Sequence, residues 1–370
     1  VSEYPYKTVL KSKMSESICT DLKKLGYSTH AVHNNEATFY GRNTVFSNIG
    51  FDTFCSMEYM NGLTDSPNGW SNDDVLSREI MKTLDSTSGP DFTMAITVQS
   101  HGKYDGIALD DPTIKVTGAP EGKEQAYEYY VNEIHEVDRM IDTLIKELSN
   151  RKEETVLVLY GDHLPSLDIQ KDDLSNANLY QTQYVVWDNM NLKKKTKNLH
   201  AYQLYAEVLD RIQIHEGMIT KYHQQTKHRS KLYLTGLTTL SYDLLYGDNY
   251  AYDGENPFKQ TELQMGTEPV KLTSVQKTKS GYRVVGSGFT PYCKVYYDGT
   301  LVESEWISSE CLQLQDEFEL DEADKKDSGE PETEVTEPRD VPNAFVVEVQ
   351  SDDGVVLSST QAYPASQVKK

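Results

Sequence analysis

Asp162 and His163 stand side by side directly after an apolar run and a glycine, in VLVLYGDHLPSL (156–167). A carboxylate beside an imidazole, at the end of what reads as a buried strand, suits a divalent ion such as manganese or zinc. Gly161 is expected to let the backbone turn so that both side chains face one site. Two more histidines follow apolar stretches, His33 after STHAV and His101 after TVQS. Open α/β sheets hold ligands beyond the carboxyl ends of their strands, so three histidine-bearing strand ends point to one edge of one sheet. The plainer alternative is a capping aspartate beside a hydrogen-bonded histidine, and two ligands alone do not make a tight metal site. Their location is what favours the ligand reading.

Hydrophobic periodicity supplies the elements that must position these residues. TDLKKLGYSTHAVHN (20–34) predicts a helix stopped at Gly26, then a strand through Ala31 and Val32. FTMAITVQS (92–100) predicts a buried strand ending at His101. A helix over 124–149 follows, with Val131, Ile134, Val137, Ile141, Leu144 and Leu148 at helical spacing. TVLVLYGD (155–162) and QTQYVVWDN (181–189) read as further strands, and AYQLYAEVLDRI (201–212) as a helix. Alternating helices and strands, the strands apolar on both faces, predict an α/β layer with a mostly parallel sheet over 1–262. Residues 263–370 change to short β-branched runs such as YRVVGSGF (282–289), CKVYYDG (293–299), AFVVEVQ (344–350) and GVVLSST (354–360). Turn residues separate them, as an all-β sandwich requires. Within that domain, 316–340 holds 12 acidic and 3 basic residues, a net of −9, and reads as a solvated, disordered loop.

Composition narrows the function. With 370 residues the chain is long enough for two domains. It carries 58 acidic against 36 basic residues, a formal net charge of −22, which repels phosphate backbones and argues against nucleic acid as a partner. No apolar run approaches the ~20 residues that span a bilayer. The start, VSEYPYKTVLKSK, has neither an apolar signal-peptide region nor an initiator Met, so a piece of a longer protein is expected. Cys19, Cys55, Cys293 and Cys311 show no metal-finger spacing. Cys293 and Cys311 flank a predicted hairpin and are expected to pair if the chain is extracytoplasmic. His30, His135, His200, His215, His223 and His228 are read as structural or surface residues.

FTMAITVQSHGKYDG, the helix after it and VLVLYGDHLPSL resemble the extracellular domain of lipoteichoic acid synthases and related sulfatase-like phosphoglycerol transferases. LKKLGYSTHAVHNNEATFYGRNTVFSNIGFDTF and SYDLLYGDNYAY (241–252) extend the resemblance over roughly 10–255. It implies the alkaline-phosphatase fold and a membrane-anchored, extracytoplasmic enzyme. That enzyme moves phosphoglycerol from a lipid to a glycolipid or cell-envelope polymer through a phospho-threonine intermediate. Asp162 and His163 would then bind the catalytic metal, manganese in the synthases, with magnesium, zinc or calcium as alternatives. His33, Tyr40 and Arg42 would line the head-group pocket, Tyr40 standing where the synthases have Trp and Asn35 where they have an acid. His101 would sit beside the reacting phosphate. Arg42 offers a bidentate fork to a phosphate, and His101 can donate to a phosphoryl oxygen or protonate a leaving alkoxide. Taken alone, Arg42 reads as a surface charge and Tyr40 as a loop-packing residue.

One departure from the family bears on activity. In these enzymes an acidic metal ligand and the nucleophilic Thr precede the segment that aligns with residue 1, and Thr8 lacks the strand-to-helix setting of that nucleophile. The chain alone is therefore expected to be inactive and to hold metal weakly or not at all. A sulfatase or phosphodiesterase of the same superfamily, and a non-catalytic wall-binding protein with a vestigial site, are the competing readings. GSGFTPYCKVYYDGTLVES (286–304) resembles the Ig-like modules known as IPT or TIG domains, which implies a polymer-positioning β domain.

Overall fold

The computed structural model describes residues 4–228, 230–279, 281–315, 318–320 and 337–369. Helix α1 (Ile18–Lys23) opens with a capping box, in which Thr20 N donates to Ser17 Oγ and Ser17 N to Thr20 Oγ1. Strand β1 (Ser28–His33) follows and lies between β2 (Thr53–Cys55) and β3 (Asp91–Ile96), parallel to both. A short strand, β6 (Gln264–Met265), extends the same sheet by pairing in parallel with β2. Successive residues face opposite layers, as pleating demands. On one side Phe54 and Phe92 meet Phe46 of α2 (Arg42–Ile49) and Phe51, with ring centroids 4.8–6.0 Å apart. On the other, Thr93 and Cys55 face Thr83 and Glu79 of α3 (Val75–Asp85). Helix α4 (Glu124–Asn150) packs on α3.

The strand VLVLY departs from expectation. It forms β4 (Val156–Tyr160), whose partner is β5 (Tyr184–Asp188), antiparallel, in a two-stranded ribbon separate from the four-stranded sheet. Its residues are half-buried, and Tyr160 is exposed. The strand expected to run to His101 ends at Ile96, and 97–100 carries on without regular structure. Helices α5 (Leu204–Arg211), α6 (Met218–Gln225) and α7 (Tyr233–Tyr246) complete this part.

The C-terminal part is two antiparallel sheets. One contains β7 (Lys271–Thr278), β8 (Gly281–Ser287), β11 (Ser304–Ser308) and β12 (Cys311–Leu314). The other contains β9 (Cys293–Tyr297), β10 (Thr300–Val302), β13 (Ala344–Gln350), β14 (Val356–Ser359) and β15 (Tyr363–Pro364). Val275, Val284, Leu312 and Leu314 of the first sheet share a core with Val295, Phe345, Val347 and Val349 of the second. Because Gln264 and Met265 belong to the α/β sheet, the organisation changes between β6 and β7 rather than at the expected cut of 262/263. The two parts also touch: Thr290 Oγ1 donates to Glu58 O (2.6 Å), and Tyr59 Oη lies 2.6 Å from Ser358 Oγ.

Two expectations for this part change. All four cysteines are free thiols, with Cys293 on β9 in one sheet and Cys311 on β12 in the other. The acidic stretch falls mostly outside the described residues. Of its described parts, 318–320 is packed, since Leu320 is buried and Phe318 meets the rings of Tyr282, Tyr297 and Phe345, whereas Glu337, Pro338 and Asp340 are exposed.

Candidate active site

His33 closes β1 opposite Ile96, the last residue of β3, and its Nδ1–H donates to Ile96 O at 2.8 Å. That bond leaves Nε2 as an acceptor, which is buried and has no hydrogen-bond partner among the described residues. Burial, and next the nearby Arg42 charge, lower the His33 pKa to about 4, so the ring is neutral at physiological pH. Arg42 opens α2. Gly41 before it has φ +68°, and Tyr40 adopts φ +59°, an uncommon conformation for an aromatic residue. The Arg42 guanidinium lies 5.2 Å from the Phe39 ring centroid and 5.5 Å from that of Tyr40, and donates to Phe39 O. It has no carboxylate partner among the described residues. Tyr40 is exposed, with Lys7 Nζ 5.6 Å from its ring centroid.

His101 and His163 meet edge to face, their ring centroids 6.0 Å apart, and Trp70 lies against the His101 ring at 5.4 Å. Both histidines send Nδ1–H to a backbone carbonyl, His101 to Gly102 O and His163 to Leu164 O, each at 2.8 Å. Nε2 of each ring is thereby left to accept, the tautomer a metal ligand requires. Asp162 Oδ1 is 3.7 Å from His163 Nε2 and accepts from His163 N. That gap is about the separation of two donors around one ion with ~2.1 Å bonds, so the pair fits a shared divalent cation. Both side chains are largely exposed, and no group of three or more His, Cys, Asp or Glu able to hold a metal occurs among the described residues.

The structure thus sets Arg42 within electrostatic reach of His33, with Tyr40 against Arg42, and brings His101 to His163, beside Asp162. Among the described residues no hydrogen bond, ion pair or ring contact joins the two groups, although β1 and β3 run to the same edge. Gly161 does not have the role expected of it. It has no left-handed φ, and a Cβ there would make ordinary contact with Thr182 at 3.5 Å.

Sequence reasoning missed the residues that hold the His101 loop. Asp73, fully buried, accepts from Asn34 Nδ2 (2.8 Å), Val98 N (2.9 Å) and Gln99 N (3.3 Å). Asn68 Nδ2 donates to His101 O, and Trp70 Nε1 to Gly102 O. The turn-rich SPNGW (66–70) was the available signal.

A model of the family described as Sulfatase matches residues 1–214, more than half of the chain. The putative cyclic beta-1,2-glucan modification protein of Rhizobium meliloti (strain 1021) is 30% identical over 209 residues, which is 52% of this chain and 32% of that protein. Lipoteichoic acid synthase 2 of Bacillus subtilis (strain 168) is 23% identical over 197 residues, 52% of this chain and 29% of that one. The chain therefore spans about a third of the length of these relatives. Among solved structures, the Streptococcus pyogenes phosphoglycerol transferase GacH in complex with sn-glycerol-1-phosphate superposes with a TM-score of 0.49 at 18% identity. That superposition covers 64% of this chain and 66% of that one.

Proposed function

The chain belongs to the sulfatase family, and from that premise we propose that it is the C-terminal portion of a metal-dependent phosphoglycerol transferase of alkaline-phosphatase-like fold. In this reading the whole protein is membrane-anchored and extracytoplasmic, and acts on a cell-envelope glycopolymer or glycolipid. One observation carries the reading to this chain. An Arg42 without a carboxylate partner stands near a neutral His33 whose Nε2 has no partner. A cation and an orphaned acceptor together match a ligand that bears both a phosphate and a hydroxyl.

In this reading Arg42 grips two phosphate oxygens with its planar fork. His33 Nε2 accepts from a glycerol hydroxyl, and its neutrality keeps that lone pair available. His101, fixed through Nδ1, takes or gives a proton at Nε2 as the ester oxygen is released. Asp162 and His163 would hold the metal, which when bound supplies positive charge to the phosphoryl oxygens and lowers the pKa of a nucleophilic hydroxyl. In this reading the nucleophile is a threonine that residues 1–370 do not supply, and it becomes transiently phosphorylated. The β part, read as an Ig-like module, positions the polymer. A second reading, ester hydrolysis with water as acceptor, is favoured by the family description itself.

Titration of the chain with sn-glycerol 1-phosphate, and separately with inorganic sulfate, tests this. Binding of the first that weakens about tenfold in Arg42→Ala, with sulfate binding feebly, supports the transferase reading. Equal binding of sulfate favours the hydrolase, and binding indifferent to Arg42→Ala sinks both.

A further inference from the structure

A cleft of about 980 Å³ opens between the segment preceding α5, helix α6 and the start of α7, and includes none of the residues assigned above. It lies at the top of the ~300–1,000 Å³ range usual for small-molecule sites. Part of it, including His223, His228 and Tyr233, lies beyond the residues that the family model matches.

An aromatic ladder forms one wall. The His200 and Tyr202 rings stack at 5.1 Å with planes 7° apart, and Tyr202 continues onto His223 at 5.9 Å and 28°. The ladder runs from an exposed rim, where His200 is the terminal ring and the Tyr202 behind it is still 41% exposed, to a floor where His223 is 3% exposed. A ring left open at the rim of a cleft presents apolar surface to the C–H groups of a ligand.

Hydrogen bonding fixes the chemistry of the floor. Gln203 Oε1 accepts from His200 N, so its Nε2 is the atom donating to Tyr233 Oη, at 2.9 Å. The single Tyr233 hydroxyl proton then goes to His223 Nδ1, 2.6 Å away. His223 therefore carries its own proton on Nε2, and this donor has no partner among the described residues. Its neutrality agrees with burial, and next the neighbouring His228, lowering its pKa to about 4. His228 is the complement. Its Nε2–H donates to His223 O at 2.7 Å, which leaves Nδ1 as an acceptor. A donor and an acceptor, both uncommitted and both on cleft-lining residues, suit hydroxyl groups, which do both. The lining gives an anion no net charge to bind, since Lys197 and Lys227 stand with Glu207 and Asp210 and Lys197 is closed onto Glu207.

We propose that this cleft is a binding site for a neutral saccharide. The sugar's C–H face lies on the rim end of the ladder, at His200 and the exposed edge of Tyr202, and adjacent hydroxyls accept from His223 Nε2–H and donate to His228 Nδ1. This does not depend on the phosphoryl-transfer reading, since no residue is shared.

Calorimetric titration of the chain with maltohexaose, laminarihexaose and a β-1,2-linked glucohexaose tests the proposal. At least one should bind in the millimolar range. Tyr202→Ala and His228→Ala should each weaken that binding about tenfold, ~1.4 kcal/mol, with thermal melts showing that both variants fold. Arg42→Ala should leave it unchanged, which separates this site from the anion site. Failure of all three saccharides overturns the proposal. So does binding that survives both cleft substitutions, or displacement of the saccharide by inorganic phosphate, which would mark an anion site.

Discussion

His33 and Arg42 are held by a four-stranded sheet with helices on both faces, whereas Asp162 and His163 follow a ribbon of only two strands. Around His33 the polar groups are buried and mostly satisfied through Ile96, Asn34 and Asp73. Around His163 the bonds are local, to Leu164 and Asp162, and both side chains are largely exposed. Fixed dipoles in a water-poor setting bind without reorganising, and an exposed pair does not. Within this chain the proposed head-group half of the site is built into the fold, whereas the proposed metal half is an exposed pair.

The sharpest test of that contrast is stability. Asp73→Ala should destabilise by ~3–5 kcal/mol, because it strands the buried donors of Asn34, Val98 and Gln99. Asp162→Ala should leave the unfolding midpoint within error of the unsubstituted chain, since an exposed side chain with only local bonds gives up little. Urea denaturation measures both, and comparable losses would erase the distinction.

Amide exchange extends the comparison to the backbone. Amides of β1 and β3 should open only with the whole domain. Those of β4 and β5, in a half-buried ribbon, should exchange roughly 100-fold faster through local opening. Equal protection would mean that the ribbon is anchored as firmly as the sheet.

The sequence carried the end of β1 well, overran that of β3, which stops at Ile96 short of His101, and carried the sheet partners poorly. His33 closes β1 as STHAV suggested, and α4 runs Glu124–Asn150 against an expectation of 124–149. These are local matters, set by periodicity and by the polar residue that ends each run. VLVLY reads equally well as a central strand or as one side of a ribbon, since an apolar run does not say what will pair with it. Asp73 was invisible for a related reason: its importance lies in donors 25 residues away, at Val98, and 39 residues away, at Asn34. Gly161 misled because a glycine between a strand and a polar pair invites a left-handed turn that this backbone does not use.

A smaller effect should appear in the titration of His33. Its folded pKa of about 4 lies below the ordinary histidine value, so the fold prefers the neutral ring. The resulting stabilisation is fully present above the ordinary value and is lost as pH falls through about 4. His223, lowered similarly, adds with the same sign. Removing the second cause in Arg42→Ala should raise the His33 midpoint, leaving burial to hold the remainder. Imidazole NMR shifts across acid pH read this directly, and an unmoved midpoint would place Arg42 too far away to cooperate in binding a phosphate.

The smallest effect expected is metal binding by residues 1–370. Asp162 and His163 supply two donors at a workable spacing, and a preorganised cage normally needs about four, so solvent must complete the shell. Manganese should therefore bind weakly in a calorimetric titration, and Asp162→Ala should remove what heat there is. His33→Gln, at the built half of the site, should leave the manganese isotherm alone. If residues 1–370 instead bind manganese tightly, one ion per chain, and keep doing so in Asp162→Ala, the exposed pair is not the metal site. The difference between the two halves would then reflect burial alone.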